Sequence, residues 1–316
     1  MKLQLQTIYS CMKLGIVTDL TSEEYHNMGG TFSSSQLKTM LEDPEMFYRK
    51  YITKEIERES IPAFDIGTYF HTAILEPEKL SHECAVYGGI RRGKEWEAFK
   101  VVNAGKAIIT TTELDQANSL IYAVKSSPIA QEYLGKGKPE ISCFAELYIF
   151  HTEIYCNGLL LTPDGWVETN YFSLAKSKGL KVVVKVRADL LGDTGFILDL
   201  KSTTGNVKDA RSMRTKVSSY SYDLSAALYL DIFTAAGGRL YKTFIWTFAS
   251  KDYGNCQNYI ASDTNIKIGR AKWSKAVCLL VERIESGWKF PDEMMILEPQ
   301  FFETEWIKPI IELEDL

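Results

Sequence analysis

The chain has 316 residues, 45% of them apolar, enough for a sizeable core in one large domain or two small ones. No apolar run approaches the length that spans a bilayer, and the opening MKLQLQTIYSCMKLGIVTDL breaks its apolar residues with Gln, Thr, Ser and Lys, unlike a secretory leader. A net charge of −5 does not advertise nucleic-acid binding, and the six cysteines (Cys11, Cys84, Cys143, Cys156, Cys256 and Cys278) form no CxxC pair, which argues against a zinc ribbon or iron–sulfur cluster and for reduced thiols in the cytoplasm.

The first 138 residues read mainly as helices, with no internal repeat and no low-complexity segment. In SSSQLKTMLEDPEMFYRKYI, Ser caps precede an apolar periodicity and Pro44 marks a break. FDIGTYFHTAILEP is a second helix, stopped before Pro77. TTELDQANSLIYAVKSS is a third, opened by a Thr cap with acids in its first turn. After Pro139 the texture changes, and residues 139–316 read as an α/β core. ISCFAELYIF, KVVVKVRADLL and GFILDLKST are strands, the last two joined by GDTG. SYSYDLSAALYLDIFTAAGG is a helix ending at Gly237–Gly238. LYKTFIWTFAS and CQNYIASD are strands, and IKIGRAKWSKAVCLLVERIESGW is a final helix. The order is helices, then β-β-β-α-β-β-α: a mixed sheet flanked by helices, with a helical N-terminal part packed on it, one compact domain overall.

One strand is out of character. GFILDLKSTTG is apolar until Asp199 and Lys201, two apart and therefore on one face. Asp189 lies ten residues earlier, at the end of KVVVKVRAD, so a strand, a short turn and a second strand make the two carboxylates hairpin neighbours. Adjacent carboxylates repel, which calls for a cation between them. Magnesium or manganese takes carboxylate oxygens, binds phosphate oxygens and assists phosphodiester hydrolysis, while a lysine on the same face orients or helps to deprotonate the attacking water. The bland alternative is an Asp–Lys ion pair at a strand end; the upstream Asp189 favours the nuclease reading.

Charge is also uneven. From Lys176 to Lys216 there are ten Lys/Arg against four acids, a window of +6 that leaves −11 on the rest of the chain. Such a window is a phosphate-contacting face or a solvated surface, and charge alone does not choose. Tyr222 and Tyr229, seven apart on one helix, share a face that is either core or the lining of a DNA channel. GGIRRGKE, residues 88–95, imitates a phosphate loop but puts Glu95 where Ser or Thr is needed, and is rejected. His26, His82 and His151 have no functional context and are taken as structural.

Together these segments resemble the RecE-type phage and prophage exonucleases of the PD-(D/E)xK superfamily, from about residue 30 to about residue 290. SSSQLKTMLEDPEMFYRKY is similar to the family's opening, and GTYFHTAILEPEKL is close to its G-T-x-x-H-x-x-x-L-E-P block, the most specific match. RRGKEWEAF and GKAIITTTELDQANSLIYAVKSSPIA follow the linker and third helix; KVRADLL, ILDLKSTTG and YSYDLSAALY match the catalytic strands and the helix after them. The resemblance implies that His71, Asp189 and Asp199 hold the metal, with the Leu200 carbonyl as an extra ligand. It implies that Lys201 acts on the nucleophilic water and that Glu140 of KPEISCF is the accessory acid, with Glu146 competing for that role. Tyr222 and Tyr229 match the helix tyrosines, which implies a catalytic place for Tyr222 and a DNA contact for Tyr229; many relatives carry Gln between them, where this chain has Ser225, too short for the same contact.

It further implies a magnesium-dependent exonuclease, with manganese as substitute. The expected substrate is linear double-stranded DNA, digested from an end, usually 5′ to 3′. The exposed strand would pass to a single-strand annealing partner for recombination, in the cytoplasm of a bacterial host. Relatives form rings, so a homo-oligomer is expected, with Lys208, Arg211, Arg214 and Lys216 as DNA backbone contacts. A nickase or single-strand-specific nuclease on the same core, and a catalytically silent DNA-binding module, stay open as alternatives.

Overall fold

The computed structural model describes residues 13–56 and 62–290. The N-terminal stretch runs β1 (Gly15–Val17), α1 (Ser22–Asn27), β2 (Thr31–Phe32), α2 (Ser34–Glu42), α3 (Pro44–Phe47), α4 (Pro62–Leu75), α5 (Leu80–Glu83), β3 (Cys84–Tyr87), α6 (Gly93–Val102), β4 (Ala107–Thr110), α7 (Thr111–Lys125) and α8 (Pro128–Leu134). Then come β5 (Gly137–Phe150), β6 (Glu153–Cys156), β7 (Leu159–Thr162), β8 (Gly165–Glu168), α9 (Phe172–Lys178), β9 (Leu180–Gly192) and β10 (Phe196–Thr203). α10 (Ala210–Ser219), α11 (Tyr222–Gly237), β11 (Thr243–Ser250), β12 (Cys256–Ile260) and α12 (Asp263–Glu285) complete it.

The helix starts follow their capping residues. Ser33 and Gln36 form a reciprocal box at the head of α2, and Thr110 and Glu113 do the same for α7. Asp43 caps α3, whose first residue, Pro44, has no N–H to leave unsatisfied. α11 stops at Gly238, which takes the left-handed conformation with φ of 68°.

Among the described residues, ten strands join one sheet in the order β12-β11-β10-β9-β5-β6-β7-β8, with β1 added on β5 and β2 on β9. β10 and β11 are parallel, as are β2 and β9; the other pairs are antiparallel. One core lies between the sheet and α2, α11 and α12, through Leu37, Met40, Leu228, Phe233 and Trp273 against Val184, Val186, Ile197 and Phe248. A second lies between α4, α7 and the sheet, through Phe70, Leu120 and Val124 against Leu190, Leu198, Leu200 and Ile245. This is the mixed sheet flanked by helices that the sequence implies.

The N-terminal stretch departs from a purely helical reading. β1 and β2 enter the main sheet, and β3 and β4 make a small parallel sheet of their own. These strands have two to four residues, too short to show a period of two. The β6–β8 meander and α9 also stand between the first two expected strands of the core. No helix among the described residues is long and apolar enough to cross a membrane.

Candidate active site

The site forms where the sheet divides. β9 and β10 pair at Leu191↔Ile197 and Leu190↔Leu198 and then part. Further back along β9, β2 pairs with Val183 and Val184 instead. Asp189 and Asp199 come level one step beyond the last β9–β10 pair. On the other side of β9, Glu140 sits between the pairs Pro139↔Leu190 and Ile141↔Ala188, level with Asp189. Three carboxylates from three neighbouring strands thus form one row.

The backbone is bent to make it. Glu140 has φ of 54°, a left-handed conformation that costs a non-glycine residue on the order of 1–3 kcal/mol. β9 changes sides at the same place: Val184, Val186 and Ala188 feed the first core, Leu190 the second. Asp189 sits between them, its Oδ2 accepting the Leu200 N–H at 2.7 Å.

α4 supplies the histidine. Its Ile66 and Phe70 are buried, while Gly67, Thr68, His71 and Thr72 line a cavity of about 350 Å³ with Glu140, Arg187, Asp189 and Tyr229. His71 Nδ1 lies 3.5 Å from Asp189 Oδ2, and the ring hydrogen-bonds the Leu200 backbone. Ligand atoms of His71, Glu140 and Asp189 all lie within 4.8 Å of one another. Asp199, expected beside His71 and Asp189, stands outside that trio: its Oδ1 accepts from Lys201 Nζ at 2.6 Å. The Leu200 carbonyl also faces Lys201 Nζ, at 3.3 Å.

Electrostatics follow from burial and crowding. Burial and the neighbouring Asp199 push the Asp189 carboxyl from 3.8 up to about 7, against the pull of Lys201 and the Leu200 N–H. Burial, then Asp189, also raises Glu140, although Arg187 opposes them. Burial works against the Lys201 ammonium, but Asp199 and Asp189 outweigh it and raise its pKa. Burial and Lys201 lower His71, which favours the neutral imidazole, the form that ligates metals. Two carboxylates and one neutral imidazole, with crowded negative charge that a proton or a cation relieves, suit a divalent cation that accepts oxygen and imidazole donors.

The other expected residues are distributed as follows. Tyr222 lies under two ammonium groups, with Lys201 Nζ 5.6 Å and Lys38 Nζ 5.2 Å from its ring centre. Tyr229 lines the cavity, hydrogen-bonds Ser34, and is pushed up to about 12 by burial and Asp199. Ser225 is half-buried on α11 between them. Glu146 is six residues along β5 from Glu140 and is engaged by Lys181 at 2.8 Å and by the Tyr148 hydroxyl at 3.0 Å, so Glu140 is the acid beside Asp189. Lys208, Arg211 and Arg214 are exposed on and before α10, whose Met213 and Val217 are buried. Lys216 is tied down instead, donating to Thr203 Oγ1 and the Thr204 carbonyl at 2.7 Å each. His82 and His151 are exposed, the latter in the turn after β5; His26 borders the cavity. In the rejected phosphate-loop segment, Arg91 is held by Glu113 at 2.7 Å and the Ile108 carbonyl at 2.6 Å.

Two residues carry more of the site than the sequence shows. Arg187, two before Asp189 on β9, donates from Nε to Glu140 Oε2 at 2.5 Å and from Nη1 to the carbonyls of Leu20 and Thr21. It fixes the strained acid and ties the segment before α1 to it. Lys38 reaches the site from α2, where burial and Lys201 lower its pKa to about 8. Period-2 spacing from Asp189 points at Arg187; nothing local points at Lys38.

Over residues 33–293 the sequence matches a family described as a PDDEXK-like domain of unknown function. A crystal structure from Eubacterium rectale, of a protein provisionally named an exonuclease, superposes with a TM-score of 0.58 at 15% identity. That match covers 92% of this chain and 98% of that one, and it shows a shared fold. A second solved structure, of SSO0001, reaches a TM-score of only 0.26 at 11% identity over 83% of this chain and 96% of that one, too low to carry an argument. No curated protein sequence matches the chain.

Proposed function

We propose, since this chain belongs to the PDDEXK-like family of unknown function DUF3799, that it is a divalent-cation-dependent nuclease that degrades linear double-stranded DNA from an end. The observation that carries the reading is the row Glu140–Asp189–Asp199 across three strands, closed by His71 on one side and Lys201 on the other. A structural ion pair at a strand end needs one carboxylate and one cation; it does not explain a strained third acid and a histidine aimed at the second.

His71, Glu140 and Asp189 would hold magnesium, or manganese in its place, with Asp199 and the Leu200 carbonyl as further donors. The bound cation supplies positive charge for the phosphoryl oxygens and makes water more acidic. Lys201 remains an ammonium at neutral pH because Asp199 and Asp189 outweigh its burial. It therefore orients the attacking water and stabilises negative charge on the phosphodiester rather than taking the proton. Arg187 holds the Glu140 side chain in place.

DNA reaches this site past a basic edge. Lys208 just before α10, and Arg211 and Arg214 on its exposed side, contact the phosphate backbone, with Lys216 buttressing the loop after β10. In the finer form of the proposal, digestion runs 5′ to 3′ and a homo-oligomeric ring encloses the duplex, basic faces inward. The product strand then goes to an annealing protein, in the cytoplasm of a phage-bearing cell.

A substrate panel tests it. With magnesium, linear duplex should yield acid-soluble nucleotides, while covalently closed circles stay intact. Sedimentation at working concentration should show an oligomer. Degradation of closed circles at the linear rate, or a monomer that digests processively, would refute the end-dependent ring.

A further inference from the structure

Beside the catalytic lysine stands an aromatic ledge that the reaction leaves unused. Tyr220 caps the C-terminal end of α10 and Tyr222 begins α11, with Ser221 between them at φ 47° and ψ 45°, a left-handed kink. Ser221 has no glycine's freedom, so this conformation costs on the order of 1–3 kcal/mol and is held by its surroundings. The kink sets the two rings side by side, with centroids 5.5 Å apart and planes at 27°. Tyr222 is the inner ring, backed by Phe248 at 6.2 Å. Tyr220 is the outer ring, and it is 58% exposed, unusual for an aromatic already stacked on a neighbour.

The charges around the ledge are those a nucleotide needs. Lys201 and Lys38 both reach the Tyr222 ring, at 5.6 and 5.2 Å from its centre, which puts two ammonium groups one ring away from Tyr220. Aromatic rings flanked by basic side chains bind single-stranded nucleic acid without sequence preference, because every base has a π-face. In a fully paired duplex only the outer face of the terminal pair is free, and that base stays tied to its partner strand, so it cannot turn onto Tyr220 alone.

We propose that Tyr220 is a base-stacking platform that holds the terminal nucleotide unpaired, with Lys38 taking its phosphate, so that the preferred substrate is a frayed or short single-stranded DNA end. This inference rests on the nuclease reading above for its biological sense, but its test does not require cleavage.

Equilibrium binding in chelator, by fluorescence anisotropy, separates the two. The probes are a blunt duplex, the same duplex with an unpaired terminal nucleotide, and that duplex with the terminal base removed. The protein should prefer the unpaired end to the blunt one. Tyr220→Ala should lose about 5- to 150-fold on the unpaired end, the range that one stacked base supplies. Tyr220→Phe should retain the affinity. Removing the base should weaken wild type by the same factor and Tyr220→Ala by no further factor, which assigns the loss to the ring–base pair rather than to folding. Lys38→Met keeps the stem on Tyr222 and should lower the salt slope by roughly 0.7 on the single-stranded end. Equal affinity of wild type and Tyr220→Ala for all three probes overturns the platform. Absence of nucleotide release with magnesium, with the binding pattern intact, overturns the nuclease reading and leaves the platform standing.

Discussion

Replacing Asp189 by Asn should make the metal-free protein more stable and the enzyme inactive. The amide has the shape of the carboxylate, and its oxygen still accepts the Leu200 N–H bond of 2.7 Å, but it does not ionise. In the folded wild type the Asp189 carboxyl is raised from 3.8 to about 7, so ionising it in place costs on the order of 4 kcal/mol. The side chain is 16% exposed, and relaxation of the fork reduces this to roughly 2–4 kcal/mol. The sign follows from a raised carboxylate. Its stabilising proton is fully present below about pH 4, is lost as pH rises towards about 7, and contributes nothing above. Urea denaturation in chelator should therefore find Asp189→Asn equal to wild type near about pH 4 and more stable by about 2–4 kcal/mol near about pH 8, with the same m-value. Excess manganese should offset that difference, since wild type, which keeps the carboxylate ligand, gains about 4.1 kcal/mol at a thousandfold excess over Kd. An Asn variant less stable than wild type near about pH 8, or a gain that does not change with pH, would refute the crowded-carboxylate account.

Lys201→Ala should bind DNA and metal yet lose about 10²- to 10³-fold in single-turnover rate, the loss expected for one charge-stabilising donor. His71→Ala should lose activity most in magnesium and recover part of it in excess manganese; a purely packed histidine would instead lower Tm and leave metal affinity unchanged. Arg187→Ala leaves the half-buried Glu140 carboxylate without its 2.5 Å partner and should cost about 3–5 kcal/mol, whereas Arg187→Met with Glu140→Gln should restore most of it. Neutralising Arg211 or Arg214 should lower the slope of log affinity against log salt by roughly 0.9 each on duplex DNA, for all sequences alike.

What the sequence made legible is what local rules govern. The capped helices α2 and α7, the stop of α11 at Gly238 and the long strands β5, β9 and β10 follow from caps, a left-handed glycine and runs of β-formers. Asp189 and Asp199 are neighbours because a hairpin sets their register, and a hairpin is local. What stayed hidden depends on distance in the chain. Arg187 and Glu140, 47 positions apart in the chain, meet only because β5 lies beside β9. Lys38 arrives on a helix whose own pattern shows a polar position and no more. The sequence offers Lys216 as a DNA backbone contact, and only the fold of α10 back onto Thr203 and Thr204 shows its partners within the chain. The short strands β1 to β4 pair with distant segments and leave no periodicity of their own.

The most direct test of the central claim is the release of acid-soluble nucleotides from linear duplex DNA by protein stripped of metal and then restored with magnesium or manganese. The account predicts no release in chelator, release on restoring either cation, and loss of nearly all of it in Lys201→Ala protein that still binds the duplex. Nucleotide release that survives chelation, or that Lys201→Ala leaves at the wild-type rate, would contradict it.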